Sequence, residues 1–179
     1  MITVVCWKWR GWRGRMYQAE HVHALQAMLA RWLTVPHRFV CVTDDPRGLR
    51  CETYPLWPMP PGSFDKECRN IPNCYRRLRL FDAPDELGDR FLSIDLDVII
   101  NGPIDHLIPQ PGTGFKILRG RSAPYNGSMW YVERGYRPDV WRDLTQANID
   151  AAQDAVRASH PAPVVGSDQV WMSHKLPRA

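Results

Sequence analysis

The stretch FLSIDLDVII, residues 91–100, decides how this chain is read. It is apolar apart from Ser93 and two aspartates, and turn-forming residues bound it, Gly88-Asp89 before and Asn101-Gly102-Pro103 after. A short apolar run between turn signals predicts a buried strand, typically of an α/β sheet. Side chains alternate along a strand, so Leu92, Ile94, Leu96 and Val98 would share one face and Asp95 and Asp97 the other. Two carboxylates so placed repel each other, and burying either one unpaired is costly or shifts its pKa. A divalent cation between them removes both penalties. Carboxylate oxygens suit Mg²⁺ or Mn²⁺, which bind through one or two protein carboxylates together with substrate phosphates. A strand that stops at Ile94, followed by two solvated loop aspartates, satisfies the same spacing.

Composition narrows the classes. A chain of 179 residues fits one domain, 1–179, and shows no internal repeat or linker. A hydrophobic content of 44% and eight tryptophans argue against disorder. The net charge of +4 favours an anionic partner such as a nucleotide, a phosphorylated sugar, nucleic acid or a membrane surface. No run approaches the ~18 apolar residues of a membrane span, so no transmembrane segment is expected. The start MITVVCWKW lacks the pattern of a signal peptide. Cys6 and Cys41 lie in apolar runs, where reduced cysteine is common, and the spacing of Cys68 and Cys74 matches no zinc pattern. These features predict a cytoplasmic protein, with a peripheral membrane position as the variant.

Strands and helices alternate along the chain. Ile2–Trp7, Arg38–Thr43 and Cys51–Trp57 read as strands, as do Phe115–Leu118 and Ser128–Val132. Tyr17–Leu33 carries Val22, Leu25, Met28, Leu29 and Trp32 at helical spacing. His21 and His23 on it cannot share a helix face and read as surface or packing residues. Shorter helices are expected at Cys74–Phe81, Val140–Leu144 and Asp168–Lys175. Alternation of this kind predicts a mostly parallel sheet with helices on both faces and a ligand crevice beyond the carboxyl ends of the strands. The residues after Trp7 and Thr43, and Asp95 to Asp97, would meet there.

The block CYRRLRLFDAPDELGDRFLSIDLDVIINGPIDHL resembles the core of the GT-A-fold glycosyltransferases, most of all family 8. Tyr75, Arg77 and Leu78 match that family's Tyr-x-Arg-Leu helix, Asp95 and Asp97 its Asp-x-Asp motif, and Gly102, Ile104 and Leu107 the tail. Further on, Asn126-Gly127-Ser128 resembles its Asn-Ser-Gly strand, and Asp168-Gln169 its Asp-Gln helix start. The resemblance spans most of the chain and implies a single GT-A (Rossmann-like) domain, mostly parallel and flanked by helices. It implies a metal-dependent transferase, Mn²⁺ or Mg²⁺ held by Asp95 and Asp97 and gripping the diphosphate of a nucleotide-sugar, a UDP-sugar foremost. Arg77 would lie near phosphates or ribose. Cys6, Trp7 and Lys8 would face the base, with Tyr17 as a stacking partner and Asp44 accepting from base or ribose. Asn126, Gly127 and Ser128 would line the pocket for sugar and acceptor, and Asp168 and Gln169 would stand on the reactive side of the sugar. The acceptor, whether glycan, lipid-linked or small molecule, is not specified.

Several of these residues have plain structural alternatives. Arg77 could be one of a solvated row with Arg76 and Arg79. Asp44 fits an Asp-Asp-Pro turn, Gly127 a bulge, and Ser167-Asp168 a helix N-cap. The resembled family usually adds a histidine ligand beyond its Asp-Gln helix. Here only His174 is near, at a helical position expected to face solvent. That leaves a truncated product, a metal completed by water and phosphate, or a degraded site that binds without turnover. The basic stretch KWRGWRGR, residues 8–15, could neutralise nucleic acid, close over a diphosphate or touch an anionic membrane. Eight basic-rich residues on a chain of modest charge do not make a nucleic-acid protein. A haloacid-dehalogenase-type Mg²⁺-dependent phosphohydrolase also uses a strand ending in Asp-x-Asp, but there the motif opens the fold, and here about half the chain precedes it.

Overall fold

The computed structural model describes residues 1–9, 17–59, 74–121, 123–160 and 167–176. These form a six-stranded sheet in the order β3-β2-β1-β4-β6-β5. The strands are β1 (Ile2–Lys8), β2 (His37–Thr43), β3 (Glu52–Pro55), β4 (Arg90–Ile94), β5 (Phe115–Arg119) and β6 (Tyr125–Glu133). The α-helices are α1 (Ala19–Trp32), α2 (Asp139–Arg142), α3 (Gln146–Ser159) and α4 (Asp168–Lys175). A 3₁₀ helix spans Cys74–Asp82.

The expected parallel order holds for β3, β2, β1 and β4, whose pairings are all parallel. It stops there. Strand β6 pairs antiparallel with both β4 and β5, so the sheet is mixed. The reason is in the connection. Only five residues, 120–124, separate β5 from β6, whereas a parallel return needs a crossover of a dozen or more.

Alternation in β1 sorts the core into two layers. Ile2, Val4 and Cys6 pack with Val22, Leu25 and Leu29 of α1 and with Leu92 and Ile94. Val5 and Trp7 face the opposite layer, with Leu78 and Phe81 of the 3₁₀ helix, Val140 of α2, Ile149 of α3 and Trp171 of α4. Helices therefore cover both faces of the sheet. Helix α3 was not expected from the sequence. Its buried stripe is only Ile149, Ala152 and Val156, too thin to give a strong periodic signal, although Thr145 caps it by accepting from Asn148 N at 3.2 Å.

The decisive stretch is shorter than its hydrophobicity predicts. Strand β4 ends at Ile94, and a turn follows in which Val98 N donates to Asp95 O at 3.3 Å. The strict alternation expected through Val98 therefore fails beyond Ile94. Leu96, Ile100 and Ile104 remain in the α1 layer because the loop is pinned there. Ile104 N donates to Trp32 O at 2.9 Å, and Asp105 Oδ1 accepts from Thr34 N and Val35 N at 2.8 and 2.9 Å. None of the described helices is long and apolar enough to cross a membrane.

Candidate functional site

Because β6 runs against its neighbours, its N-terminal end meets the C-terminal end of β4. Ile94 pairs with Met129, and Asp95 N donates to Ser128 O at 2.9 Å. On the other side the register slips. Ile117 faces Trp130 but Leu118 faces Asn126, so residues 127–129 stand opposite no β5 residue. Side chains satisfy the freed backbone: Gly127 N donates to Gln169 Oε1 at 3.3 Å, and Ser128 N to Asn126 Oδ1 at 2.8 Å. Irregularities of this kind re-aim side chains beside sites.

Arg77 comes into this gap from the 3₁₀ helix. Three residues per turn stack Tyr75, Leu78 and Phe81 toward the core and put Arg77 on the adjacent edge with Cys74. Arg77 is 4% exposed, so it is not one of a solvated row. Its Nη1 donates to Asp95 Oδ1, and its Nη2 lies 2.5 Å from Oδ2 of Asp168, itself only 2% exposed. Asp168 opens α4; its Oδ1 accepts from Gln169 N at 3.0 Å. Ser167 caps the helix by position but makes no side-chain capping bond. A side chain at 127 would crowd the ion pair. A Cβ there would sit 3.0 Å from Arg77 Nη2 and 3.3 Å from Asp168 Oδ1. The close approach inferred for a ligand at Gly127 is made by Arg77.

Electrostatics mark the same place. Burial, the charges of Asp168 and Asp97, and the opposing pull of Arg77 leave Asp95 raised to about 6. Burial also raises Asp168, against Arg77. For Arg77 the burial penalty is outweighed by Asp168 and Asp95, which hold it firmly charged. Cys74, absent from the expected site, is pushed up to about 12 by burial and then by Asp168. One guanidinium thus serves Asp95 and Asp168 with a further carboxylate, the exposed Asp97, close by. Asp95 is 30% exposed. Tyr17 joins this group: burial, then the charges of Asp97 and Asp95, raise its hydroxyl pKa, and its ring lies edge-on to His21 at 5.4 Å.

The expected nucleotide residues on β1 are placed differently. The Cys6 side chain is wholly buried in the α1 layer. Trp7 is buried in the opposite layer and donates from Nε1 to Ser93 Oγ at 2.9 Å. Both side chains belong to the core, because β1 is central and covered on both faces. Lys8 is buried too, its Nζ donating to Asp45 O at 2.7 Å. Asp44 is exposed at the end of β2. His21 and His23 serve structure, accepting from Gln18 N at 3.0 Å and Arg50 N at 3.2 Å. Residues 10–15 of the basic stretch and Cys68 lie outside the described residues.

Two carboxylates, Asp95 and Asp97, offer hard oxygen donors for a divalent cation, and the burial and carboxylate repulsion that raise Asp95 are what a cation would offset. Among the described residues no group of three His, Cys, Asp or Glu side chains is arranged to hold a metal. His174 stands exposed on α4 against Trp171. No protein-family model and no curated protein matches the sequence.

Proposed function

We propose that the protein transfers a sugar from a nucleotide-diphosphate sugar, foremost a UDP-sugar, to an acceptor hydroxyl, with Mn²⁺ or Mg²⁺ at Asp95 and Asp97. The bond from the anomeric carbon to the diphosphate oxygen breaks, and the nucleoside diphosphate leaves with the electron pair. The acceptor oxygen bonds that carbon and its proton is released. The observation that carries this reading is the charge imbalance at the end of β4, where one guanidinium is shared by two carboxylates and a third stands beside them. A divalent cation there would balance the charge and stabilise negative charge on the leaving diphosphate.

The chain's own residues supply position. Arg77, locked by Asp168, holds Asp95 at a fixed angle. Asn126, Ser128 and Gln169 give the irregular start of β6 a polar lining for the sugar. Tyr17 stands at the rim beside Asp97. Asp168 is too buried to touch the sugar, so its part is to orient Arg77. The order of motifs resembling family 8 supports the same assignment. A phosphohydrolase with Asp95 as nucleophile fits less well, because Arg77 engages the attacking carboxylate.

Thermal melting with a panel of nucleotide-sugars, with and without Mn²⁺, on wild type and Asp95→Asn tests the proposal. Ligand at a hundredfold over its dissociation constant stabilises by ~2.7 kcal/mol, a rise of roughly 5–11 °C at about 2–4 °C per kcal/mol. The expected result is a metal-dependent rise with one nucleotide family, lost in the variant. No rise with any donor overturns it. Turnover assays then separate an enzyme from a sugar-nucleotide binder.

A further inference from the structure

A second concavity opens on the same edge of the sheet. Strands β4 and β5 are both antiparallel to β6, so they point the same way, and the C-terminal end of β5 shares an edge with Asp95. A cleft of about 410 Å³ lies there, lined among others by Phe115, Ile117, Arg119, Tyr125 and His160. That volume is in the range of small-molecule sites, roughly 300–1,000 Å³. Order across the sheet puts β5 two strand spacings from β4, ~10 Å. Tyr125 lines the cleft and its chain neighbours Asn126 and Gly127 line the candidate site.

The chemistry of the cleft is specific. Phe115 and Tyr125 meet edge to face, with ring centroids 6.1 Å apart. Arg119 pairs with Tyr125 in the register, so the two share a face. His160 Nε2 lies 3.3 Å from Arg121 O and closes one end. Among the described residues no aspartate or glutamate lines the cleft. The exposed Arg119 and Arg121 face no carboxylate among the described residues. Arg119 lines the cleft, and Arg121, whose carbonyl meets His160, flanks its end; two guanidiniums beside an aromatic-lined cleft match a sugar that carries a phosphate.

We propose that this cleft is the acceptor subsite and that the acceptor bears a phosphate group, held by Arg119 and Arg121 while its sugar lies against Phe115 and Tyr125. The name acceptor rests on the transferase reading; the recognition of a sugar phosphate does not. In the transfer, a hydroxyl of this sugar forms the new glycosidic bond, the nucleoside diphosphate departs with the electrons of the broken bond, and the hydroxyl proton goes to solvent.

Binding of glucose 1-phosphate, of glucose, and of phosphatidylcholine vesicles carrying a prenyl phosphate tests this, measured without metal on wild type, Arg119→Ala/Arg121→Ala and Asp95→Asn. Both arginines are exposed, so the double variant should melt like wild type and keep any donor-induced rise. Phosphate-bearing ligand is expected to bind wild type and Asp95→Asn alike, at least roughly tenfold weaker to the double variant, because hydrogen bonds to charged groups are strong. Preference for glucose 1-phosphate indicates a soluble acceptor, and preference for the vesicles a lipid-linked one. Equal binding of glucose and its phosphate, or equal binding to wild type and double variant, overturns the inference. If no nucleotide-sugar binds while arginine-dependent phosphate binding persists, the transferase reading falls and the sugar-phosphate site stands.

Discussion

Two ends of neighbouring strands, side by side in one sheet, treat charge in opposite ways. At the ends of β1 and β2 the charges close on one another. Lys8 Nζ reaches Asp45 O, and Arg47 holds both Asp45 oxygens at 2.8 and 2.9 Å, which keeps that carboxylate well below its ordinary range. At the ends of β4 and β6 they do not close. Arg77 is divided between Asp95 and Asp168, Asp97 adds a third carboxylate, and the net effect on Asp95 and Asp168 is an upward shift. The first arrangement is complete by itself and serves the fold. The second is short of positive charge, which the fold alone gives no reason to keep.

The largest break in this comparison is Arg77→Met. It strands the carboxylate of Asp168, 2% exposed, and removes the group that orients Asp95. Breaking one side of a buried ion pair costs about 3–5 kcal/mol. Urea unfolding should show that loss, and adding Asp168→Leu should return much of it, since an apolar pair needs no compensation. A loss under ~1 kcal/mol in the single variant would mean that Arg77 and Asp168 do not depend on each other.

Gly127→Ala probes the same pair by volume. Its Cβ would press on Arg77 Nη2 at 3.0 Å, and the guanidinium cannot retreat without giving up Asp168. Overpacking of this kind costs about 1–3 kcal/mol, or a fall in Tm of roughly 2–12 °C at 2–4 °C per kcal/mol. Gly102→Ala, where a Cβ meets nothing, is the control and should melt as wild type does.

How far the sequence spoke follows from the same contrast. Strands β1, β2 and β4 and helix α1 were legible because each carries an apolar run or stripe that burial enforces. Asp95 and Asp97 were legible as a pair out of place in an apolar segment. Their strand face was misread, since hydrophobicity continues through Leu96 and Ile100 while the backbone turns at Asp95 to reach α1. The residues that assemble the site were named through the motif resemblance, but their contacts with one another were not. Arg77, Gly127 and Asp168 lie 50 and 41 positions apart along the chain, and nothing local says that the glycine leaves room for the arginine. Cys6 and Trp7 were assigned to the nucleotide because β1 ends at the crevice. Side-chain direction in a strand covered on both faces sends them into the core.

Metal binding sharpens the comparison through pH. A cation must displace the proton from Asp95, whose pKa is raised to about 6, so affinity for Mn²⁺ should rise with pH and level off above neutrality. At one unit below the pKa only about a tenth of the group is ionised, and the affinity should be about tenfold weaker. Without metal the sign reverses. Asp95 binds its proton more tightly folded than unfolded, where its value is near 3.8. Its contribution to stability is therefore fully present below about pH 4 and is lost as pH rises through 6. Melting curves with and without Mn²⁺ should diverge as pH rises across that window. Parallel curves would count against a cation at Asp95.

The smallest effect should come from the closed end. Arg47 is 86% exposed and its contact with Asp45 is an (i, i+2) pair inside one turn. Exposed pairs contribute little because water screens the attraction and two side chains must be held still. The turn has other supports: Asp45 N donates to Thr43 Oγ1 at 3.0 Å, and Asp45 O still receives Lys8. Arg47→Ala should therefore leave the melting temperature unchanged within measurement error, and leave any donor-induced rise intact. Loss of donor binding in Arg47→Ala, with melting unchanged, would show instead that the end of β2 recognises the nucleotide. The two strand ends would then divide one site between them.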